Sequence, residues 1–188
     1  MRIPALRAFV LIGALSMSWM VVSASAQVQR MNLEELTRAS SAIVVGETDA
    51  PRSFWNDKGT QILTEVRVRV SESVKGSVGD EVVITVPGGR VGNTLYEVSD
   101  MPVFVEGEEI LVFLWEHPSG RQLVTAGVTG KLEIAQEGRE KVVRGAPALL
   151  RDERPLGKTN AEAGEARTST GSMSVDDLLA QIRSYAGQ

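Results

Sequence analysis

The sequence predicts a mainly β fold: a small, closed or partly open antiparallel barrel with short N-terminal and C-terminal helices. Short apolar runs recur from residue 42 to residue 144 with glycine-containing turns between them. Strands at a spacing of about 8–12 residues are typical of barrels and sandwiches. The segment 62–74 alternates apolar and polar residues over a length that suits a strand bending around a barrel. Helical periodicity appears at 32–40 and 174–185.

The predicted elements begin with the N-terminal helix. Asn32 can cap it, Glu35 completes a capping box, and the helix is expected to end near Ser40. The run A-I-V-V-G at 42–46 has the length of a strand. In the segment 62–74 one face is predicted to be buried and the other to be wet. The residues of the buried face are Ile62, Thr64, Val66, Val68, Val70 and Val74.

The later strands are shorter. Residues 82–86 alternate until Pro87 ends the run. Residues 110–115, I-L-V-F-L-W, are apolar at every position, which predicts a central strand that is buried on both faces. Three further strands are expected, at 122–126, 131–135 and 140–144, the last two forming a hairpin.

The first 26 residues are predicted to be a secretory signal peptide. Arg2 and Arg7 precede an apolar stretch at 8–22, and A-S-A at 24–26 places small residues at the cleavage positions. The stretch is shorter than the about 20 apolar residues that an anchor needs. We therefore expect cleavage after Ala26, a secreted or periplasmic location, and no stable membrane insertion afterwards.

The end of the chain has a different character. Leu156 is the only large apolar residue from 151 to 172, which predicts a flexible polar linker. The amphipathic helix that follows would be marginal alone. Its apolar stripe must therefore dock, either on the barrel or on a partner protein. The predicted segments are a signal peptide at 1–26, a β-barrel domain at 27–150, a linker at 151–173 and a C-terminal helix at 174–188.

Composition excludes several kinds of chemistry. The chain has 188 residues, no Cys, one His and a formal charge of −4. Without Cys there are no disulfides, zinc–thiolate sites or thiol nucleophiles. With His117 as the single histidine there is no two-histidine metal site. The acidic balance argues against general nucleic-acid binding. We expect no metal, no cofactor and no nucleic-acid partner.

Three motifs in this order resemble the netrin-like module, the oligosaccharide-binding-type barrel of tissue inhibitors of metalloproteases, as found in exported bacterial proteins. They are S-x-x-I-V-V-G at 40–46, the long strand that ends in V-K-G at 74–76, and G-E-E-I-L-V-F-L at 107–114. The resemblance covers about residues 33 to 135. It implies a five- or six-stranded barrel that is flanked by helices, and it implies protein binding with occasional protease inhibition.

One feature of that family has no counterpart in this sequence. The inhibitors chelate a catalytic zinc through an N-terminal Cys, whereas the mature chain is expected to begin at Gln27 and has no Cys. The chelating mode does not carry over. A role as an inhibitor, or as a companion protein, of an exported metalloprotease is therefore kept as an alternative function.

Two segments are candidates for binding a partner. Phe54 and Trp55 are adjacent aromatics in a predicted loop, where such residues often anchor interfaces; they could instead fold back over one barrel end. The segment 87–93, P-G-G-R-V-G-N, offers Arg90 and Asn93 in a glycine-rich loop. It could also cradle a phosphate, although no P-loop Lys-Ser/Thr follows, or be a plain connection.

The remaining polar candidates have simpler explanations. His117 lies in a predicted surface turn, and no G-x-S-x-G elbow is present to make it part of a triad. The acids at 106–109 are typical of solvated charge. Arg67 and Arg69 on the wet strand face are expected to pair with acids on neighbouring strands, or to contact an acidic partner.

Together these observations predict an exported, non-enzymatic protein-binding module whose partner is an envelope or extracellular protein. No catalytic residue is assigned. A hydrolase that uses carboxylates alone is the least favoured alternative, because no pair of acids stands out at a suitable spacing.

Overall fold

The computed structural model describes residues 31–145, where strands dominate, and residues 173–187, which are mostly helical. The predicted signal peptide and residues 151–172 of the predicted linker at 151–173 lie outside the described residues, while Met173 belongs to a short strand. The elements in chain order are α1 Leu33–Ala39, β1 Ala42–Thr48, β2 Arg52–Trp55, β3 Ile62–Lys75, β4 Glu81–Pro87, β5 Gly89–Val91, β6 Thr94–Tyr96, β7 Glu109–Glu116, β8 Gln122–Val124, β9 Lys131–Glu137, β10 Glu140–Arg144, β11 Met173–Ser174 and α2 Val175–Ala186.

Five of these strands close into a barrel, which confirms the predicted fold class. The order around the barrel is β1, β3, β4, β8, β7 and back to β1. Every neighbouring pair is antiparallel except β4 and β8, which meet in parallel where Ile84 lies beside Gln122. This single parallel contact between β4 and β8 closes the barrel.

The sheet continues beyond the barrel through β7. One edge of β7 pairs with β1, while the other edge is shared by β8 and β9. The predicted hairpin is present, with Val143 opposite Ile134, and β10 pairs in turn with β11. Since β11 runs directly into α2, this extension carries the C-terminal helix back to the barrel.

Two hydrophobic cores lie on opposite faces of the same strands. The inner core fills the barrel and includes Val44 and Val112, whereas the outer core lies under the helices and includes Ile43 and Phe113. Successive side chains of a strand point to opposite faces. This arrangement explains why β1 and β7 are apolar at almost every position, and it confirms that β7 is a central strand buried on both faces from Ile110 to Leu114. Trp115, which the same run predicted to be buried, is 36% exposed.

The long strand β3 bends, and the bend corrects one part of the prediction. Residues Ile62, Val66 and Val68 are buried as expected. Two irregularities then interrupt its pairing with β1, and Val74 packs against the outer core instead of the barrel interior. A β-bulge inserts one residue on one strand, so that the side chains beyond it change face. Strict alternation could not predict this.

The helix α1 is fixed at both ends. Asn32 and Glu35 form the predicted capping box, with bonds of 2.9 and 3.0 Å to each other's backbone N–H groups. At the other end, Lys75 Nζ donates to the carbonyls of Thr37 and Ser40, both at 2.7 Å. A cation at a helix C-terminus satisfies carbonyls that have no partner within the helix. Lys75 therefore ties the end of β3 to α1.

Replacing Lys75 with methionine is expected to lower the free energy of unfolding by about 1–3 kcal/mol, because two half-buried carbonyls lose a charged donor. Urea unfolding measures the change. The matched control is Lys141→Met, which breaks an exposed pair with Glu109 and is expected to cost less than about 1 kcal/mol. If the two substitutions lowered the free energy of unfolding equally, Lys75 would not act as a cap of α1.

The helix α2 docks on the parent barrel, which is the first of the two predicted alternatives. Val175, Leu178, Leu179 and Ile182 are buried in the outer core, and α2 contacts α1 there. An ion pair between Arg183 and Glu72 of β3 adds a polar contact at the edge. Within the described ranges, neither helix has the length and apolarity needed to cross a membrane.

Candidate functional site

A groove of about 400 Å³ lies between β2, the β5–β6 hairpin and the segment that follows the hairpin. Its lining is mostly apolar. Val86 and Phe104 belong to the inner core and are buried, so the groove sits over one end of the barrel interior. Leu95 and Val103 also line it, but they are 50% and 77% exposed. The groove thus joins a buried apolar base to apolar side chains that face solvent.

The glycines that follow β4 form one wall of this groove. The segment predicted as a loop at 87–93 is instead the first half of the β5–β6 hairpin, which turns at residues 92 and 93. Gly88 and Gly89 have φ values of 112° and 130°, which favour glycine. A Cβ on Gly89 would lie 2.3 Å from the hydroxyls of Ser53 and Thr64. These glycines let the hairpin pack directly on β2 and β3.

Phe54 and Trp55 lie in strand β2 rather than in a loop, which corrects the prediction. They pair with Leu63 and Ile62 of β3. The connection itself begins at Asn56, whose side-chain oxygen accepts the backbone N–H of Thr60 at 2.8 Å. Pairing with β3 makes Phe54 and Trp55 part of a strand, although the residues that follow them are polar. Phe54 is half-buried, and Trp55 is 42% exposed.

The structure brings the two predicted binding segments together but places their residues differently. The backbone N–H of Arg90 reaches the Ser53 hydroxyl of β2 at 3.4 Å. Of the four predicted residues, Arg90 alone lines the groove. Asn93 is exposed at the hairpin tip, and Phe54 and Trp55 lie further along β2. The lining of the groove therefore includes one of the four predicted residues, Arg90.

The opposite wall was not predicted from the sequence. It belongs to residues 97–108, which we call the strap, between β6 and β7. Lys131 of β9 holds the strap: its Nζ lies 2.6 Å from both carboxylate oxygens of Glu108 and 2.7 Å from the Val103 carbonyl. The same cation lies 5.1 Å from the centre of the Phe104 ring. The Lys131 and Glu108 side chains are 12% and 13% exposed, so this pair is screened from water.

A second polar contact fixes the strap from β1. The buried hydroxyl of Thr48 donates to the Val105 carbonyl, and the Glu108 and Thr48 backbones are joined by a 3.0 Å hydrogen bond. Burial alternates along the strap: Pro102 and Phe104 are buried, whereas Val103 and Val105 are exposed. The signal in the sequence that could have identified the wall is the apolar run P-V-F-V at 102–105, although it does not show which of its side chains are buried.

The groove carries two charged side chains, Arg90 and Glu97. Neither has an ion pair with any residue in the described ranges. On the wet face of β3, by contrast, the arginines have ion pairs. Arg67 pairs with Glu81 at 3.0 Å, and Arg69 pairs with a β1 carboxylate at 2.7 Å, as predicted.

The other polar candidates are separated from the groove lining. His117 lies in the turn between β7 and β8, where its Nδ1 is 2.8 Å from the Ser119 hydroxyl. Among the acids at 106–109, which were predicted to be solvated, Glu109 pairs with Lys141 at the surface, whereas Glu108 is largely buried with Lys131, which corrects the prediction. No group of three or more acids or histidines in the described part of the chain could hold a metal ion.

Comparison with known protein families finds no family model that matches the chain. Comparison with curated proteins finds no similar sequence. The netrin-like resemblance therefore stays a prediction.

Proposed function

We propose that the chain is an exported, non-enzymatic module that binds an envelope or extracellular protein in the groove beside the β5–β6 hairpin. The observation that carries this proposal is the exposure of Leu95 and Val103 above the buried base formed by Val86 and Phe104. Contiguous apolar surface that remains exposed on a folded chain is typical of an interaction site. A volume of about 400 Å³ lies within the range of ligand-binding clefts, about 300–1,000 Å³.

The walls of the groove support the same proposal, because contacts within the chain hold them in place. The β5–β6 hairpin is anchored where the Thr64 hydroxyl donates to the Gly88 carbonyl at 2.7 Å. The strap is anchored by the pair of Lys131 and Glu108. A preorganised site loses less conformational entropy when it binds. Thr64 stands on β3 of the barrel and Lys131 stands on β9, which pairs with the barrel strand β7, so both walls are attached to the same sheet.

The proposal includes a netrin-like relationship. It is supported by a role in the barrel for each of the three shared motifs. Gly46 ends its motif where β1 approaches β3 closely, and Lys75 caps α1. The third motif is β7, which contributes to both cores. Each of the three motifs thus has a structural reason for its residue types.

Affinity capture tests the proposed function. The tagged mature protein is incubated with the envelope fraction of its own cells, and recovered proteins are quantified for the wild type, Leu95→Asp and Arg90→Ala. We expect both substitutions to remove a specific partner, because one places a charge on the apolar rim and the other removes the groove cation. The control is Val83→Asp, at a 40% exposed position on the outer face of β4. Undiminished capture by the two groove variants would contradict the proposal.

A further inference from the structure

We propose that the groove binds an extended peptide segment of the partner, with a large apolar side chain over Phe104 and a carboxylate beside Arg90. This inference rests on the proposed function and specifies the chemistry of the partner. Three features of the groove carry it: the shape and polarity of its base, the charge at its hairpin wall, and the backbone of its strap.

The base selects an apolar side chain. Phe104 and Val86 close the end of the barrel interior, and Pro102 is buried next to them on the strap. A polar group placed here would lose its hydration without gaining a partner, which is unfavourable. A volume of about 400 Å³ is large enough for a side chain together with a short length of backbone, and too small for a folded domain. The occupant is therefore a projecting segment.

The hairpin wall selects a carboxylate. Arg90 is exposed, lines the groove and has no acidic partner in the ranges described, whereas Arg67 of β3 is paired with Glu81. A guanidinium binds a carboxylate through parallel N–H donors, which gives affinity and direction. The other groove charge, Glu97, follows Tyr96, which lies opposite Gly89 at the base of the hairpin. A peptide acid is thus favoured beside Arg90 and disfavoured beside Glu97, which follows the hairpin on the same face as Arg90.

The strap supports an extended backbone. Side chains alternate between buried and exposed from Pro102 to Val105, which is the period of a strand. The N–H group of Phe104 has no hydrogen-bond acceptor among residues 31–145 and 173–187, and in extended backbone it points away from the edge on which Lys131 bonds the Val103 carbonyl. Backbone donors at such an edge can pair with an added strand, while alternate side chains occupy pockets. The peptide would run beside the strap with every second side chain directed toward Phe104.

The test uses random peptides displayed on phage and selected on the mature protein. Selected peptides are synthesised with a fluorescent label, and their dissociation constants are measured by anisotropy. We expect a shared pattern of one large apolar residue close to Asp or Glu. Arg90→Glu should weaken binding at least about 30-fold, since a charged hydrogen bond becomes a repulsion. Changing the peptide acid to Lys should restore binding to this variant.

The matched control is Arg139→Glu, which makes the same charge change at an exposed position in the β9–β10 turn. Its affinity should equal that of the wild type. Circular dichroism establishes that both variants are folded. The inference is overturned if no peptide is selected, if the selected peptides lack an acid, or if Arg90→Glu binds them normally. Such a failure leaves the capture result intact, so it can be distinguished from failure of the proposed function.

Discussion

Replacing Gly46 with alanine is expected to destabilise the barrel by about 3 kcal/mol, because the new methyl group has no space. A Cβ at this position would lie 2.3 Å from the backbone oxygen of Arg69 and 2.7 Å from a methyl group of Val68. The first contact is with backbone, so rotation of a side chain cannot relieve it. Gly46 lies next to an irregularity in the β1–β3 pairing, where the two strands come unusually close. The substitution must push these strands apart.

Thermal and urea unfolding of the Gly46→Ala variant measure this effect. The control is Gly79→Ala, since a Cβ on Gly79 would meet nothing within 4 Å and its φ is not positive. That change is expected to be neutral or to stabilise the protein by up to about 1 kcal/mol, through the lower entropy of the unfolded chain. A Gly46→Ala protein as stable as the wild type would show that β1 does not approach β3 as described.

Replacing Phe104 with alanine is expected to cost about 3 kcal/mol of stability and also to abolish capture of the partner. Phe104 is 7% exposed and packs in the inner core, so its loss leaves a cavity at the end of the barrel. It also removes the ring that faces Lys131, and with it part of the hold on the strap. Stability and binding should therefore fall together, because one side chain serves the core and the groove.

Urea unfolding and envelope capture, performed at a temperature at which the variant is folded, measure the two effects. Val105→Ala is the matched control, because Val105 lies on the same strap but is 61% exposed. It should change stability by less than about 0.5 kcal/mol. If Phe104→Ala bound the partner as well as the wild type did, the groove base would have no part in recognition.

Elements with a strong local signal were predictable. The capping box of α1 needs only Asn32 and Glu35, three residues apart, and both bonds are present. The uninterrupted apolar run of β7 indicated burial on both faces, and the structure supplies the barrel on one side and the helices on the other. Hydrophobic periodicity and helix capping depend on residues that are close in sequence, so these elements can be predicted from the sequence alone.

The site was harder to predict because it depends on contacts between distant residues. Lys131 and Glu108 are 23 residues apart, and Arg90 meets Ser53 across 37 residues. Phe54 and Trp55 were predicted to lie in a loop because their neighbours are polar, but pairing with β3 makes them a strand. Arg90, a predicted partner-binding residue, lines the groove, and its position depends on the packing of Gly89 on β2 and β3, which the sequence does not show.

Site-resolved photo-crosslinking tests the central claim, that partners bind in this groove, most directly. A photoreactive residue is placed at Leu95, Val103 or Val83, all of which are exposed, and irradiated protein is recovered from the native envelope. We predict adducts of one partner from Leu95 and Val103, their loss when Arg90→Glu is added, and none from Val83. Adducts that form equally from all three positions, or from Val83 alone, would contradict the claim.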